Sequence, residues 1–265
     1  VRDTGPIYQL DAAGTTRRAT LWQFNGYGGK YPHERDAGLA AQWCALREEP
    51  TVSMPMVLEG GSIITNGHNL VVTTSQCLLN PNRNPSLGRG QIEEILLDAT
   101  GMAEVVWLPY GLSRDFDTDG HVDNLAAFAP SGQMLLQTCA APTSPDHDRL
   151  AINRRWLNGC RNHRGEPLQV IEIPVLPEVE FARRLVSVPY LNFYVANGLV
   201  LVPTTDHPAD SEMLEMIATE FPERQVIGLA VGPILAYGGG GIHCITQQIP
   251  AVYETLSYEP ERTPL

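Results

Sequence analysis

The sequence predicts an α/β fold of repeated hairpin–helix–strand units, set in a pseudo-symmetric array or propeller. Three observations carry this reading. Glycine-bearing turns sit between strand-like runs at DAAGTT (Gly14), ITNGHN (Gly67), APSGQM (Gly132) and VANGLV (Gly198), the last three at a period of roughly 65 residues. Asn-Gly and Ser-Gly between apolar runs are hairpin signals, because glycine tolerates positive φ. After each of the last three turns comes a helix-like segment, RGQIEEILLDATG, DRLAINRRWLNGC or DSEMLEMIATEF. Each is followed by an apolar strand, EVVWLP, QVIEIP or QVIGLAVGP, and Pro109, Pro174 and Pro233 stand where strands end. A doubly wound nucleotide-binding sheet is disfavoured, since no GxGxxG or Walker sequence occurs.

Composition bounds the function. The chain has 265 residues, 43% hydrophobic and 18% charged, as expected of a globular protein able to bury a core, and it is read as one catalytic domain over 1–265. The formal net charge of −12 argues against nucleic acid and favours small cationic ligands. No apolar run reaches the eighteen or so residues that a membrane helix needs. Five cysteines, widely spaced and without a CxxC pair, suit a reducing, cytoplasmic setting. The opening VRDTGPIY reads as the interior of a domain, so an earlier segment, including any signal peptide, is expected to be absent.

The polar residues recur at one place in the repeat. Asp3 in RDTGP, Glu59 in LEGGSI, His121 and Asp123 in DTDGHVDN, and Asn192 in YLNFY each stand just before a hairpin. Cys244 in GGGGIHC follows the last repeat strand. Units related by rotation bring such points together at one end of a common axis. His121 and Asp123 are two apart and, on a strand, face the same way. A thiolate needs a base or a cation beside it to form at neutral pH. An imidazole can protonate a leaving nitrogen and then activate water. A carboxylate can grip a planar guanidinium through paired N–H···O bonds. Together these groups describe a site that attacks the central carbon of a guanidinium.

RDTGP, LWQFNGYGGKY, LEGGSI, CLLNPNRNP, DTDGHVDN and GGGGIHCITQQIP, in this order, resemble the agmatine deiminases of the guanidino-modifying pentein superfamily, alongside the bacterial-type peptidylarginine deiminases. The resemblance runs from Val1 to about Pro250. It implies a five-bladed α/β propeller, of which the first blade is expected to be incomplete here. It also implies Cys244 as nucleophile, His121 as proton donor and later base, and Asp3 and Asp123 as holders of the guanidinium. No metal or organic cofactor is implied, and a homo-oligomer, dimer or tetramer, is. The family often carries Asn where Gly241 stands. Alternatives are an arginine or peptidyl-arginine deiminase, or an inactive binding module.

Other residues have two readings each. Glu59 can face the substrate or tie its glycine turn to backbone N–H groups. Asp117 can bind the distal ammonium of agmatine or be a solvated loop acid. Tyr27 and Trp22 can wall the pocket or belong to the core, and Asn192 is a candidate substrate contact. Arg83 is expected to hold a loop. Cys44, Cys77, Cys139 and Cys160 read as structural thiols. His243 should point away from Cys244 by strand alternation. A zinc site of His121, Asp123, Cys244 and His243 lacks the close ligand spacing of known zinc sites. The four glycines before Ile242 are expected to turn at positive φ and bring backbone near the substrate.

Overall fold

The computed structural model describes residues 1–175 and 178–253. Four units of one design follow each other along the chain. The first pairs β1 (Ile7–Leu10) antiparallel with β2 (Arg17–Gln23), passes through the helix Leu39–Leu46, and adds β3 (Thr51–Val57) parallel to β2. The second repeats this with β4 (Ile63–Thr65), β5 (Leu70–Thr74), the helix Arg89–Thr100 and β6 (Glu104–Leu108). The third has β7 (Ala126–Phe128), β8 (Met134–Thr138), the helix Asp146–Trp156 and β9 (Val170–Pro174). A separate hairpin, β10 (Val179–Phe181) with β11 (Arg184–Val186), precedes the fourth unit. That unit has β12 (Tyr194–Ala196), β13 (Leu199–Pro203), the helix Asp210–Glu220 and β14 (Gln225–Leu229).

The turn glycines Gly14, Gly67, Gly132 and Gly198 all have positive φ, as the hairpin reading requires. The helix Arg89–Thr100 forms because Ile92, Leu96 and Ala99 share one buried stripe, while the Gln91 side chain accepts the Gly88 N–H at 2.9 Å. The helix Asp146–Trp156 has Asp146 and Asp148 in its first turn and Arg154 and Arg155 in its last, matching the helix dipole.

Side-chain alternation explains why β5, β8 and β13 open on unbroken apolar runs. Both of their faces are covered, so successive residues enter different cores. Val71 packs with Met56, Leu96 and Trp107 between the first and second units. Its neighbours Leu70 and Val72 pack with Met134, Leu136 and Leu150 between the second and third. Leu135 turns the other way, toward Val200, Val202 and Phe221 of the fourth. The first strands of the units line a channel of about 1040 Å³, to which Ile7, Ile64, Ala127 and Val195 contribute. The loops entering those strands therefore meet beside one axis.

The structure departs from the sequence reading in places. The unit opening at β1 has three strands and a helix, Leu39–Leu46, that its sequence did not signal, and four such units lie among the described residues, against the five blades expected. Pro233 does not close a strand: β14 ends at Leu229, and Pro233 sits in the first turn of the helix Gly232–Tyr237, where its missing N–H is harmless. The chain turns at 242–245 and runs on to 250 without ladder pairing. The hairpin β10–β11 was not anticipated; Ala182 and Arg183 make its turn, both at positive φ. No helix among the described residues is long and apolar enough to cross a membrane.

Leu136 is fully buried between two units. Leu136→Ala is expected to lower the unfolding free energy by about 2–5 kcal/mol, read from urea denaturation.

Candidate active site

The site is built from the loops that enter the first strands. Asp3, before β1, has both carboxylate oxygens fixed: Oδ1 accepts the Gly61 N–H at 2.8 Å, and Oδ2 accepts the Tyr27 hydroxyl at 2.9 Å. Tyr27 adopts φ 58 and ψ 47, a backbone state costly for an aromatic residue and held here by its surroundings. Gly61 permits the convergence, since a Cβ on it would stand 2.8 Å from both Asp123 Oδ2 and His121 Nδ1 and 3.0 Å from Asp3 Oδ1. That is closer than a methyl group can approach.

His121 and Asp123 do not lie on a strand. His121 precedes a 3₁₀ turn, Val122–Asn124, and β7 starts only at Ala126. Two side-chain oxygens hold the His121 N–H: Asp115 Oδ2 at 3.0 Å and Thr118 Oγ1 at 3.2 Å. Asp115 also accepts from the Asn124 amide at 3.1 Å, so this carboxylate shapes the whole loop. The His121 ring is fully buried, its Nδ1 3.8 Å from Asp3 Oδ1 and its Nε2 4.0 Å from Glu59 Oε2. Burial alone would lower its proton affinity. Asp3, the neighbouring Cys77 and Glu59 more than offset that and hold the imidazole well above its ordinary value.

Glu59 is 0% exposed, stands beside His121, and accepts the Arg83 Nε–H at 2.6 Å. It does not tie the glycine turn through its side chain as envisaged; the turn bond, Ser62 N–H to the Glu59 carbonyl at 3.0 Å, is backbone. Arg83 also donates to Asp119 Oδ2 at 2.7 Å and to the Thr118 carbonyl at 3.0 Å, so it clamps the His121 loop to Glu59.

Asp123, 2% exposed, accepts from His243 Nδ1 at 2.8 Å and lies 3.6 Å from the Cys244 sulfur. Burial would raise its pKa, but the hydrogen bond from His243 and the charges of His243, His121 and Arg2 keep it below the usual carboxylate value. The expectation for His243 is overturned. Residues 242–245 form a turn, so alternation does not apply and the imidazole reaches into the site. The Asn192 amide links the parts: Oδ1 accepts the His243 N–H at 3.1 Å, and Nδ2 donates to Asn124 Oδ1 at 2.9 Å and lies 3.4 Å from Cys244 Sγ.

Cys244 has a thiol pKa well above that of a free cysteine. Burial is the main cause, followed by the charges of Asp123 and Asp3; the Gly241 N–H and the Asn192 amide act the other way. In the glycine run only Gly239 has positive φ. Gly240 and Gly241 serve close packing instead, Gly240 against Cys244 and Gly241 against the Asn192 amide, where a side chain at either position would collide.

A second cavity, of about 230 Å³, is lined by Asn124, Arg184, Tyr237, Gly240 and Asp117. Gly240, which lines it, packs against Cys244: a Cβ there would sit 3.4 Å from Sγ. Asp117 is exposed and accepts the Tyr31 hydroxyl. Trp22 packs against the core between the first two units.

The structure thus brings Asp3, Tyr27, Glu59, His121, Asp123, Asn192 and Cys244 together and leaves Asp117 at the rim. Sequence reasoning missed His243, Asp115 and Arg2, whose backbone N–H donates to the Cys244 carbonyl at 3.1 Å. It read Cys77 as a structural thiol; CLLNPNRNP carries Cys77 to the imidazole and Arg83 to Glu59 beside it.

The chain is similar to known proteins over most of its length. The agmatine deiminase of Pseudomonas savastanoi pv. phaseolicola is 37% identical over 96% of this chain and 75% of its own length. That of Pseudomonas fluorescens is 36% identical over 95% of this chain and 74% of its own. The solved structure of the agmatine deiminase of Enterococcus faecalis superposes with a TM-score of 0.87 at 30% identity, covering 94% of this chain and 74% of that one. The fold is accordingly that of the pentein α/β propellers. Residues 1–250 match the Porphyromonas-type peptidyl-arginine deiminase family, and the chain belongs to it.

Proposed function

We propose that this protein is an amidine hydrolase that converts agmatine and water to N-carbamoylputrescine and ammonia. The observation carrying the reading is a thiol and an imidazole flanked by two buried carboxylates, Asp3 and Asp123. Between them a planar cation would find acceptors on both sides. As the guanidinium settles there, its charge opposes Asp3 and Asp123 and lowers the proton affinity of Cys244, whose proton passes to solvent. The sulfur attacks the guanidinium carbon. His121, poised as imidazolium, protonates the departing nitrogen, and ammonia leaves an amidino-thioether on Cys244. The neutral His121 then takes a proton from water as the oxygen attacks, and collapse releases the ureido product with Cys244 as thiolate.

Glu59, expected among the substrate contacts, acts in this reading through His121. Its carboxylate is paired with Arg83 and fully buried behind the ring. Asn192 likewise orients Cys244 and the Asn124 loop. Tyr27 fixes Asp3. Asp117, at the rim of the second cavity, is placed to attract the distal ammonium of agmatine. Free arginine is the second reading, favoured by Arg184 on that same cavity, which offers a partner for an α-carboxylate. A cytoplasmic setting suits five cysteines that are all free thiols.

Incubation of the reduced protein with agmatine should yield a ureido product in colorimetric assay, with kcat/KM at least about tenfold above that for arginine. Equal or greater turnover of arginine would reject the substrate assignment. Cys244→Ala should abolish turnover and the amidino adduct seen by mass spectrometry; a variant that still turned over would sink the covalent route. Asp117→Asn should raise KM for agmatine by about tenfold while leaving kcat nearly unchanged. Asp123→Asn should move two readouts in opposite directions. Turnover falls, whereas the pH midpoint of iodoacetamide alkylation at Cys244 drops, because an anionic neighbour is gone.

A further inference from the structure

Three fully buried donors from separate elements converge on the side of His121 that faces Glu59. The ring Nε2 lies 4.0 Å from Glu59 Oε2, and Cys77 Sγ, presented by the single turn Ser75–Leu78, joins them with all three ligand atoms within 4.8 Å of one another. Each residue is 0% exposed. Neither His121 Nε2 nor Glu59 Oε2 has a hydrogen-bond partner, although buried polar atoms nearly always have one. Arg83 occupies the other Glu59 oxygen at 2.6 Å and so aims Oε2 at the ring. The reaction proposed above makes no use of Cys77.

Thiolate, imidazole and carboxylate form a characteristic donor set for zinc, bound at about 2.0–2.3 Å with a water completing a tetrahedron. Such bonds put neighbouring ligand atoms roughly 3.3–3.7 Å apart, so the present triangle needs only a small contraction. The Arg83–Glu59 pair would serve as the outer hydrogen bond that orients a ligating carboxylate.

We propose that Glu59, Cys77 and His121 form a zinc site whose occupation switches the enzyme off. Binding involves no redox step. As Zn²⁺ enters, the thiol proton of Cys77 and any proton on Nε2 leave to solvent, as metal ligation requires. The ring then turns Nδ1 toward Asp3 with its proton in place and keeps no free nitrogen to serve as base. Both halves of the reaction stop. The inhibition rests on the function proposed above, but the binding does not.

The test uses the whole protein, stripped of metal and reduced, titrated with Zn²⁺ by calorimetry and with Co²⁺ by absorption. One equivalent should bind, with a near-ultraviolet thiolate-to-cobalt band. The band should vanish in Cys77→Ser and persist in Cys244→Ser. Zinc affinity should fall at least about a hundredfold in Cys77→Ser and in Glu59→Gln, the latter serving if the former does not fold. Agmatine turnover, compared with each variant's own metal-free rate, should be zinc-sensitive in the parent and recover on chelation. A band that survives Cys77→Ser and disappears in Cys244→Ser would place the ion at the nucleophile and overturn the proposal, as would failure to bind an equivalent. Loss of turnover in metal-free parent protein would instead count against the agmatine reading alone.

Discussion

Three carboxylates, those of Asp3, Glu59 and Asp123, are held in one buried cluster, and the rest of the site is arranged around the cost of that crowding. Like charges taken out of water neutralise themselves by binding protons unless cations compensate them. Each has its own compensation here. Arg83 is paired with Glu59, with both side chains at 0% exposure. His243 donates to Asp123. Asp3 receives a backbone N–H and a phenol, and looks across to the His121 ring. Removing one partner of a buried pair such as Arg83–Glu59 costs about 3–5 kcal/mol, because the survivor stays buried and uncompensated.

The same arrangement sets the protonation of the two reacting groups in opposite directions. Anions around the imidazole keep it protonated in spite of burial, and burial, reinforced by Asp123 and Asp3, keeps the sulfur a thiol. A resting pair of acid and thiol is unreactive toward chance electrophiles. In the mechanism proposed above, a ligand bringing positive charge between Asp3 and Asp123 relieves the repulsive part of what holds the proton on sulfur, so that recognition and activation of Cys244 would be one electrostatic event.

Much of this was legible in the sequence because the fold repeats. The turns at Gly67, Gly132 and Gly198, with the helix and strand after each, fixed where equivalent loops would lie, and Asp3, His121, Asp123, Asn192 and Cys244 then fell into register. What escaped notice lacked a periodic signal. The helix Leu39–Leu46 buries only Ala40 and Cys44, too thin a stripe to show amphipathicity. His243 was misjudged because alternation was applied to a segment that turns instead of extending. Cys77, in the single helical turn Ser75–Leu78, and Arg83, in the loop after it, draw their importance from His121 and Glu59, contacts that no local pattern encodes. Position 241 is glycine here because the Asn192 amide fills the space a side chain would need.

The bond from the Arg2 N–H to the Cys244 carbonyl, at 3.1 Å, joins residues 242 positions apart in the chain. Contacts of such long range form late and slowly in folding. During synthesis the groups of the first three units leave the ribosome well before the nucleophile, and no partial chain holds both sulfur and imidazole in reach of each other. Under the mechanism proposed above, turnover would therefore depend on the first unit, the third and the segment after the fourth being docked together, and local opening at any of these would be felt in activity before global unfolding.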